Sequence, residues 1–232
     1  MPQLNAMDIS GAINDASIGT PTSVFLLQHE DARPCIDLMG GTEAMRRAGE
    51  RYIFRKEAEP EKAYTQRIAR TVLRNAFAQT LGYYRGQVFS REVALDNKSS
   101  GFSEKEAWAE DVDQRGHNLT SWSGSVFTSG LVSGVTFCLV DYPHIETVTE
   151  NGMTLYRAAD GTMRPKTAAA DVQEGWQPYL VHIPAEQVLD CRAEWRNGKR
   201  VITHFRYIEM RQEQSEASSW ELEDVQYIHA YW

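Results

Sequence analysis

The side chain that could most readily act as a catalytic group is the thiol of Cys138, which lies inside the apolar run of residues 135–140. A cysteine paired with a histidine acts as a nucleophile when its thiol loses its proton near neutral pH. Burial in an apolar segment has the opposite effect, because it raises the thiol pKa and leaves the residue as a small hydrophobe. We therefore expect a buried, unreactive Cys138, and rapid thiol labelling of the folded protein would instead favour an enzyme.

Two acidic turns have part of the pattern of a calcium-binding loop. The segment from Asp111 to Gly116 has acids at loop positions one and three and glycine at position six. However, Arg115 occupies position five, and Trp122 stands where the loop needs a bidentate glutamate. Residues 96–101 have a lysine at the third position. Neither segment is expected to bind calcium.

The histidines show no spacing that would assemble a metal site on one helix. The six are His29, His117, His144, His182, His204 and His229. A zinc site built by His182 and His204 from separate strands is the alternative to structural roles. The motifs GxxxxGK[ST], GxGxxG, GxSxG and HExxH are also absent from the sequence. We therefore expect no catalytic residue, no metal and no cofactor.

Three arginines recur at helical spacing. Arg67, Arg70 and Arg74 follow one another by three and four residues, which places them in one stripe on a helix. A solvated helix face accounts for such a stripe, and a contact between subunits is the alternative. The acidic residues that would complement it on a neighbouring copy are Glu104, Glu106, Glu110, Asp111 and Asp113. Separate basic and acidic segments suit a ring, in which each copy presents different surfaces to its two neighbours.

Charge and composition narrow the class of protein. The chain has 232 residues and a net charge of -8, whereas a protein that grips DNA phosphates tightly is usually basic. Three scattered cysteines indicate a reducing compartment. The N-terminus lacks the pattern of a signal peptide, and no apolar run approaches the roughly 18 residues of a membrane helix. These features predict a soluble protein made in the cytoplasm, without membrane association.

The helical periodicity predicts a short helix at residues 42–49, with Thr42 as its N-cap. It predicts one long helix from residue 61 to Gly82 or Gly86. Its buried face would comprise Tyr64, Ile68, Val72, Phe77, Leu81 and Tyr84. Further helices are expected at residues 103–113 and 118–133, the latter ended by the glycine that follows.

Strands are predicted mostly in the second half of the chain. Asn151-Gly152 and Asn197-Gly198 are typical of two-residue hairpin turns. The segments expected to be strands are residues 88–95, 135–140, 179–183, 191–194, 201–210 and 225–232. Residues 212–219 are predicted to be a polar loop. This mixture predicts an α+β fold, with amphipathic helices packed on mixed, mainly antiparallel strands and hairpins.

Four stretches, in this order, resemble the N-terminal half of a family of portal proteins of tailed bacteriophages. They are residues 32–53 (ARPCIDLMGGTEAMRRAGERYI), residues 63–89 (AYTQRIARTVLRNAFAQTLGYYRGQVF), residues 111–143, and residues 177–192 (QPYLVHIPAEQVLDCR) followed by the Asn-Gly hairpin. The third stretch is the most specific, because it combines an Asp-x-Asp-x-x-Gly turn, a Leu-Thr-Ser-Trp helix start and a Leu-Val-Asp-Tyr-Pro strand end.

The resemblance implies a structural protein of the virion. It implies that residues 23–232 form the wing-like α+β region of a portal, ending before the stem, clip and crown. Residues 1–22 are small and polar, a composition that predicts a flexible arm, with an arm that binds a partner as the alternative. Portals are homo-oligomeric rings of about twelve copies at one capsid vertex. They assemble in the host cytoplasm and work with a terminase motor, the capsid and head-completion or tail proteins. Double-stranded DNA passes through without sequence-specific binding, and the subunit is not an enzyme.

Two other classes of protein remain as alternatives. A head-tail adaptor or minor capsid protein would share the α+β architecture without forming the portal ring. An enzyme would need a cysteine or carboxylate site in a deep pocket with converging titratable groups. Ring formation separates the portal from both.

Overall fold

A computed structural model describes residues 18–95, 107–150, 152–158, 161–167, 170–171, 174–215 and 218–232. It confirms the α+β class, since helices are combined with antiparallel strands in three sheets. The chain divides into two compact units. The first comprises the residues up to Val88 together with 127–137 and 183–232, and the second comprises 89–126 and 138–182. None of the helices within the described ranges combines the length and the apolar character needed to cross a membrane.

The helices of the first unit differ in number from those expected. They are α1 (Ser23–Met39), α2 (Gly41–Ala48), a 3-10 turn (Gly49–Arg51), α3 (Glu61–Arg70) and α4 (Ala76–Val88). The sequence did not predict α1, because Pro34 lies inside it and proline normally breaks a helix interior. Tertiary contacts outweigh this cost: α1 buries Phe25 and Ala32, and its His29 ring contacts the Ala185 carbonyl oxygen at 2.8 Å.

The single long helix predicted from residue 61 is wrong. Thr71 is extended, with a ψ of 131°, and the chain re-enters a helix only at Ala76. The Thr71 hydroxyl donates back to the Arg67 carbonyl oxygen at 2.8 Å, and Asn75 caps the second helix through its contact with the Ala78 N–H. Such side-chain bonds give the backbone an alternative to continued helix. Val72, expected on the buried face, is consequently 75% exposed.

The short helix predicted at residues 42–49 is confirmed as α2, but its expected cap is wrong. Thr42 lies inside the helix, and its hydroxyl accepts a hydrogen bond from the Leu73 N–H at 3.2 Å. The threonine therefore binds the segment between α3 and α4 instead of the first turn of its own helix.

A three-stranded antiparallel sheet carries the core of the first unit. Its strands are β6 (Val188–Arg196), β7 (Lys199–Ser215) and β8 (Ser218–Tyr231). The Asn197-Gly198 turn is confirmed, since both residues have positive φ and Arg196 pairs with Lys199. A bulge between Val188 and Asp190 breaks the strict alternation of faces, so three consecutive residues of β6 are buried.

The polar loop predicted at residues 212–219 is also wrong. β7 continues to Ser215 and β8 begins at Ser218, so the two strands form one long hairpin. Its polar residues resemble a loop because both faces of this part of the hairpin are solvated, and the alternation of apolar and polar side chains is lost.

The remaining strands are short. They are β1 (Thr136–Asp141), β2 (Thr147–Glu150), β3 (Met153–Arg157), β4 (Met163–Pro165) and β5 (Tyr179–Pro184). β1 pairs with β5, and β2, β3 and β4 form a separate sheet. The predicted hairpin around Gly152 is confirmed by the pairing of Glu150 with Met153.

Several other expectations concern residues around the second unit. The helix predicted at 118–133 is confirmed as α5 (Leu119–Ser133), and Gly134 follows it with a φ of +78°. The strand predicted at 88–95 is wrong, because α4 extends to Val88 and the following described residues are turns and coil. The acidic helix predicted at 103–113 lies partly outside the described residues, and 107–110 are helical.

Candidate functional site

Arg67 on α3 forms its hydrogen bonds with other residues of the same chain. Its guanidinium donates to both carboxylate oxygens of Glu59, at 2.9 and 2.7 Å, and to the Phe54 carbonyl oxygen at 2.8 Å. The hydrogen bonds from Arg67 hold the pKa of Glu59 at about 2, well below its usual value. This pair fixes the segment before Pro60 against α3, so Arg67 has a structural role.

The other two arginines of the predicted stripe are more available to a partner. Arg70 is the last residue of α3, and Arg74 lies in the connection to α4, so the three arginines do not share one helix face. Both side chains are exposed, and neither forms an ion pair with a carboxylate among the residues that the structure describes. Arg70 lines an open depression of about 490 Å³, together with Glu59, Ala63, Gln66, Arg67 and Thr71.

We call residues 62–88, which run from α3 through the connecting residues into α4, the basic helical surface. Its charged residues are Lys62, Arg67, Arg70, Arg74 and Arg85, and this stretch contains no aspartate or glutamate. Large apolar side chains are exposed between the cations: Val72, Tyr83, Tyr84 and Val88 are each more than half exposed. Cations beside exposed aromatic and aliphatic groups are typical of protein-contact surfaces.

The acidic complement expected from the sequence is only partly described. Glu104 and Glu106 lie outside the described residues. Glu110 is exposed at the end of a helical turn, in the second unit, whereas Arg67, Arg70 and Arg74 lie in the first.

The turn after Glu110 uses its carboxylates internally. Asp111 accepts from the Gly116 N–H at 2.9 Å, and Asp113 accepts from the Arg115 N–H at 3.0 Å and contacts the His117 ring at 2.7 Å. Burial would raise the pKa of Asp113, but these hydrogen bonds outweigh it and leave the pKa below its usual value. The acids thus close a turn around the fully buried Val112.

The long β7–β8 hairpin is a charged surface that the sequence did not predict. The pairing of β6 with β7 ends where Val188 meets Tyr207, and beyond that point β7 and β8 pair with each other. We call residues 208–228 the acidic hairpin. Its described acids are Glu209, Glu213, Glu221, Glu223 and Asp224, and its described cation is Arg211. A count of charges along residues 208–232 would have shown this excess without revealing the strands.

The outer part of the acidic hairpin also exposes large apolar side chains. Trp220 is 94% exposed, Leu222 is 61% exposed and Met210 is 54% exposed. Residues at i and i+2 of a strand point to the same face, so Trp220 and Leu222 share one face of β8. An exposed tryptophan is a frequent centre of binding energy in protein interfaces.

The base of the hairpin is rigidly packed. Tyr207 stacks on the His229 ring at 4.7 Å, and the His229 ring nitrogen lies 2.8 Å from Glu209. Burial would raise the pKa of Glu209, but hydrogen bonds from Arg211 and His229 leave it lowered. These contacts hold the acidic hairpin on the sheet that carries the core.

The expected burial of Cys138 is wrong, whereas the expected rise in its thiol pKa agrees with the structure. The residue lies in β1, as predicted, but its side chain is on the exposed face of the strand, together with Val140. Partial desolvation raises the pKa of its thiol. Within the described ranges, no three His, Cys, Asp or Glu side chains are grouped to hold a metal ion.

Comparison of the whole chain with models of known protein families and with curated proteins gives no match.

Proposed function

We propose that this chain is the wing-like part of a portal subunit, one copy of a ring at the capsid vertex that forms the channel for DNA packaging and ejection. The order of the four portal-like stretches supports this proposal. The observation that carries it structurally is the presence of two unlike exposed surfaces on one compact unit. The basic helical surface and the acidic hairpin have opposite charge, and a head-to-tail ring needs two different surfaces on each copy.

The partners follow from this role. The principal partner is the chain itself, and the ring works with a terminase motor, the capsid and head-completion or tail proteins. Double-stranded DNA would pass through without sequence-specific binding. The net charge of -8 favours DNA that slides through the ring without tight binding. An acidic chain has few cations with which to replace the counterions of DNA phosphates. Strong, salt-sensitive binding of DNA by this chain would count against the proposal.

Negative-stain imaging of the chain, and of the longer portal protein that would contain it, tests the proposal. Closed rings of about a dozen copies with rotational symmetry are the expected result. Particles that remain single copies in both samples would overturn the portal function and favour an adaptor or minor capsid protein.

A further inference from the structure

We propose that the acidic hairpin of one copy docks on the basic helical surface of the next copy, so that the ring contact pairs residues 208–228 with residues 62–88. This inference rests on the proposed ring function and names the two surfaces that meet. It replaces the acidic partner expected from the sequence, residues 104–113, with a different element.

Charge complementarity is the first argument. The described residues of the acidic hairpin contain five acids (Glu209, Glu213, Glu221, Glu223 and Asp224) and one cation, Arg211. Residues 62–88 contain five cations, of which Arg67 is already paired with Glu59, and no acid. Two surfaces of opposite net charge on the same chain attract each other between copies, whereas two surfaces of like charge repel.

The register of the hairpin gives a second argument. Glu213 lies directly opposite Glu223 in the ladder, and the neighbouring pair is Gln212 with Asp224. Two carboxylates held side by side concentrate the negative charge that the cations of the next copy would meet.

The exposed apolar side chains and the lengths of the two elements are consistent with the same contact. Trp220 and Leu222 are exposed on the face of β8 that also carries Asp224, whereas Glu221 and Glu223 lie on the opposite face. Val72, Tyr83 and Tyr84 are exposed among the cations. A tryptophan face beside arginine adds cation–π attraction to the apolar contact. The free part of β7 spans roughly 26 Å for eight residues. The thirteen residues of α4 span roughly 20 Å, a similar length.

A charge-swap experiment tests this pairing. The first variant carries Arg70→Glu and Arg74→Glu, and the second carries Glu221→Lys, Glu223→Lys and Asp224→Lys. Each variant alone loses the charge attraction at its altered surface, so we expect its self-association to weaken at least about tenfold. Mixed in equal amounts, the unaltered acidic hairpin of the first variant meets the unaltered basic helical surface of the second, so pairs of unlike copies should associate as tightly as two wild-type copies. Sedimentation velocity over a concentration series measures all of these samples.

The control for the first variant is Arg33→Glu with Arg47→Glu. It changes the charge of the chain by the same amount as that variant, at two exposed positions outside the basic helical surface. It should change association less than about twofold. Trp220→Ala is a second probe that does not depend on the folding of the triple variant. Since Trp220 is 94% exposed, its removal should leave the melting temperature unchanged while weakening association.

The outcomes separate the two proposals. Rings that form normally in both charge variants, or a mixture no better than its components, would overturn this pairing and leave the portal function standing. A wild-type chain that never associates, even within the longer portal protein, would overturn both.

Discussion

Removal of the buried carboxylate Asp190 is the sharpest test of how the first unit is held together. Its side chain is 8% exposed, and one carboxylate oxygen lies 2.9 Å from Arg192 Nε and 3.8 Å from Arg206. Arg206 also donates to the Ile18 carbonyl oxygen at 2.7 Å, so the carboxylate indirectly fixes the residues that lead into α1. Breaking a buried ion pair from one side costs about 3–5 kcal/mol.

That range applies where the remaining partner stays buried, and it is an upper limit for Asp190→Ala. Arg192 is 64% exposed and recovers its hydration, while Arg206, at 21% exposure, keeps its bond to Ile18. We therefore expect a loss of about 2 kcal/mol in the free energy of unfolding, or a fall in Tm of about 4–8 °C for a chain of this length. Urea denaturation followed by circular dichroism measures the first quantity, and a thermal scan measures the second.

The matched control is Glu194→Ala on the same strand. Glu194 pairs with Arg196 at 3.3 Å, but both side chains are more than 60% exposed, so the loss should be under about 1 kcal/mol. A loss for Asp190→Ala of less than about 1 kcal/mol, or one equal to that of the control, would refute the argument that this buried pair anchors the residues before α1.

Three further predictions concern the core, the turns and pH. Leu189→Ala, at a residue 1% exposed, should destabilise the first unit by about 3 kcal/mol in urea denaturation, and no loss would show that the site collapses around the cavity. Gly134→Ala places a side chain at a φ of +78° and should cost about 1–2 kcal/mol, whereas Gly82→Ala, inside α4 with open space around it, should stabilise by about 0.5–1 kcal/mol. Equal shifts in Tm for the two glycine variants would contradict this. Because the pKa of Glu59 is lowered from 4.5 to about 2, the stability from its pair with Arg67 is complete above pH 4.5 and is lost as pH falls towards 2. Glu59→Gln should remove that part of the acid-induced loss, and an unchanged pH profile of unfolding would show that the pair contributes nothing.

Local signals in the sequence were sufficient to predict the two hairpin turns and the helix α5. Asn197 and Gly198 adopt the positive φ values that such a pair favours, and Gly134 ends α5 for the same reason. α1 was not predictable in this way, because its stability comes from contacts with residues more than 150 positions away, such as Thr22 with Leu189. Tertiary contacts of this kind override the penalty of an internal proline.

The two candidate surfaces could also be predicted only in part from the local sequence. The spacing of Arg67, Arg70 and Arg74 was readable, but the break at Thr71 depends on side-chain hydrogen bonds that periodicity does not encode. The acidic hairpin was missed because a solvated two-stranded ribbon has no buried face to impose alternation. Its charge was nevertheless visible in the sequence.

The mass of the wild-type chain in solution across a concentration series tests the central claim most directly. Light scattering should show a plateau at an integer multiple of 26.3 kDa corresponding to about a dozen copies, because a head-to-tail contact that closes into a ring stops growing. Growth without a plateau would show a contact that does not close. A mass that stays at that of a single copy, 26.3 kDa for this chain, would contradict the proposed ring if any longer protein that contains the chain also stays a single copy.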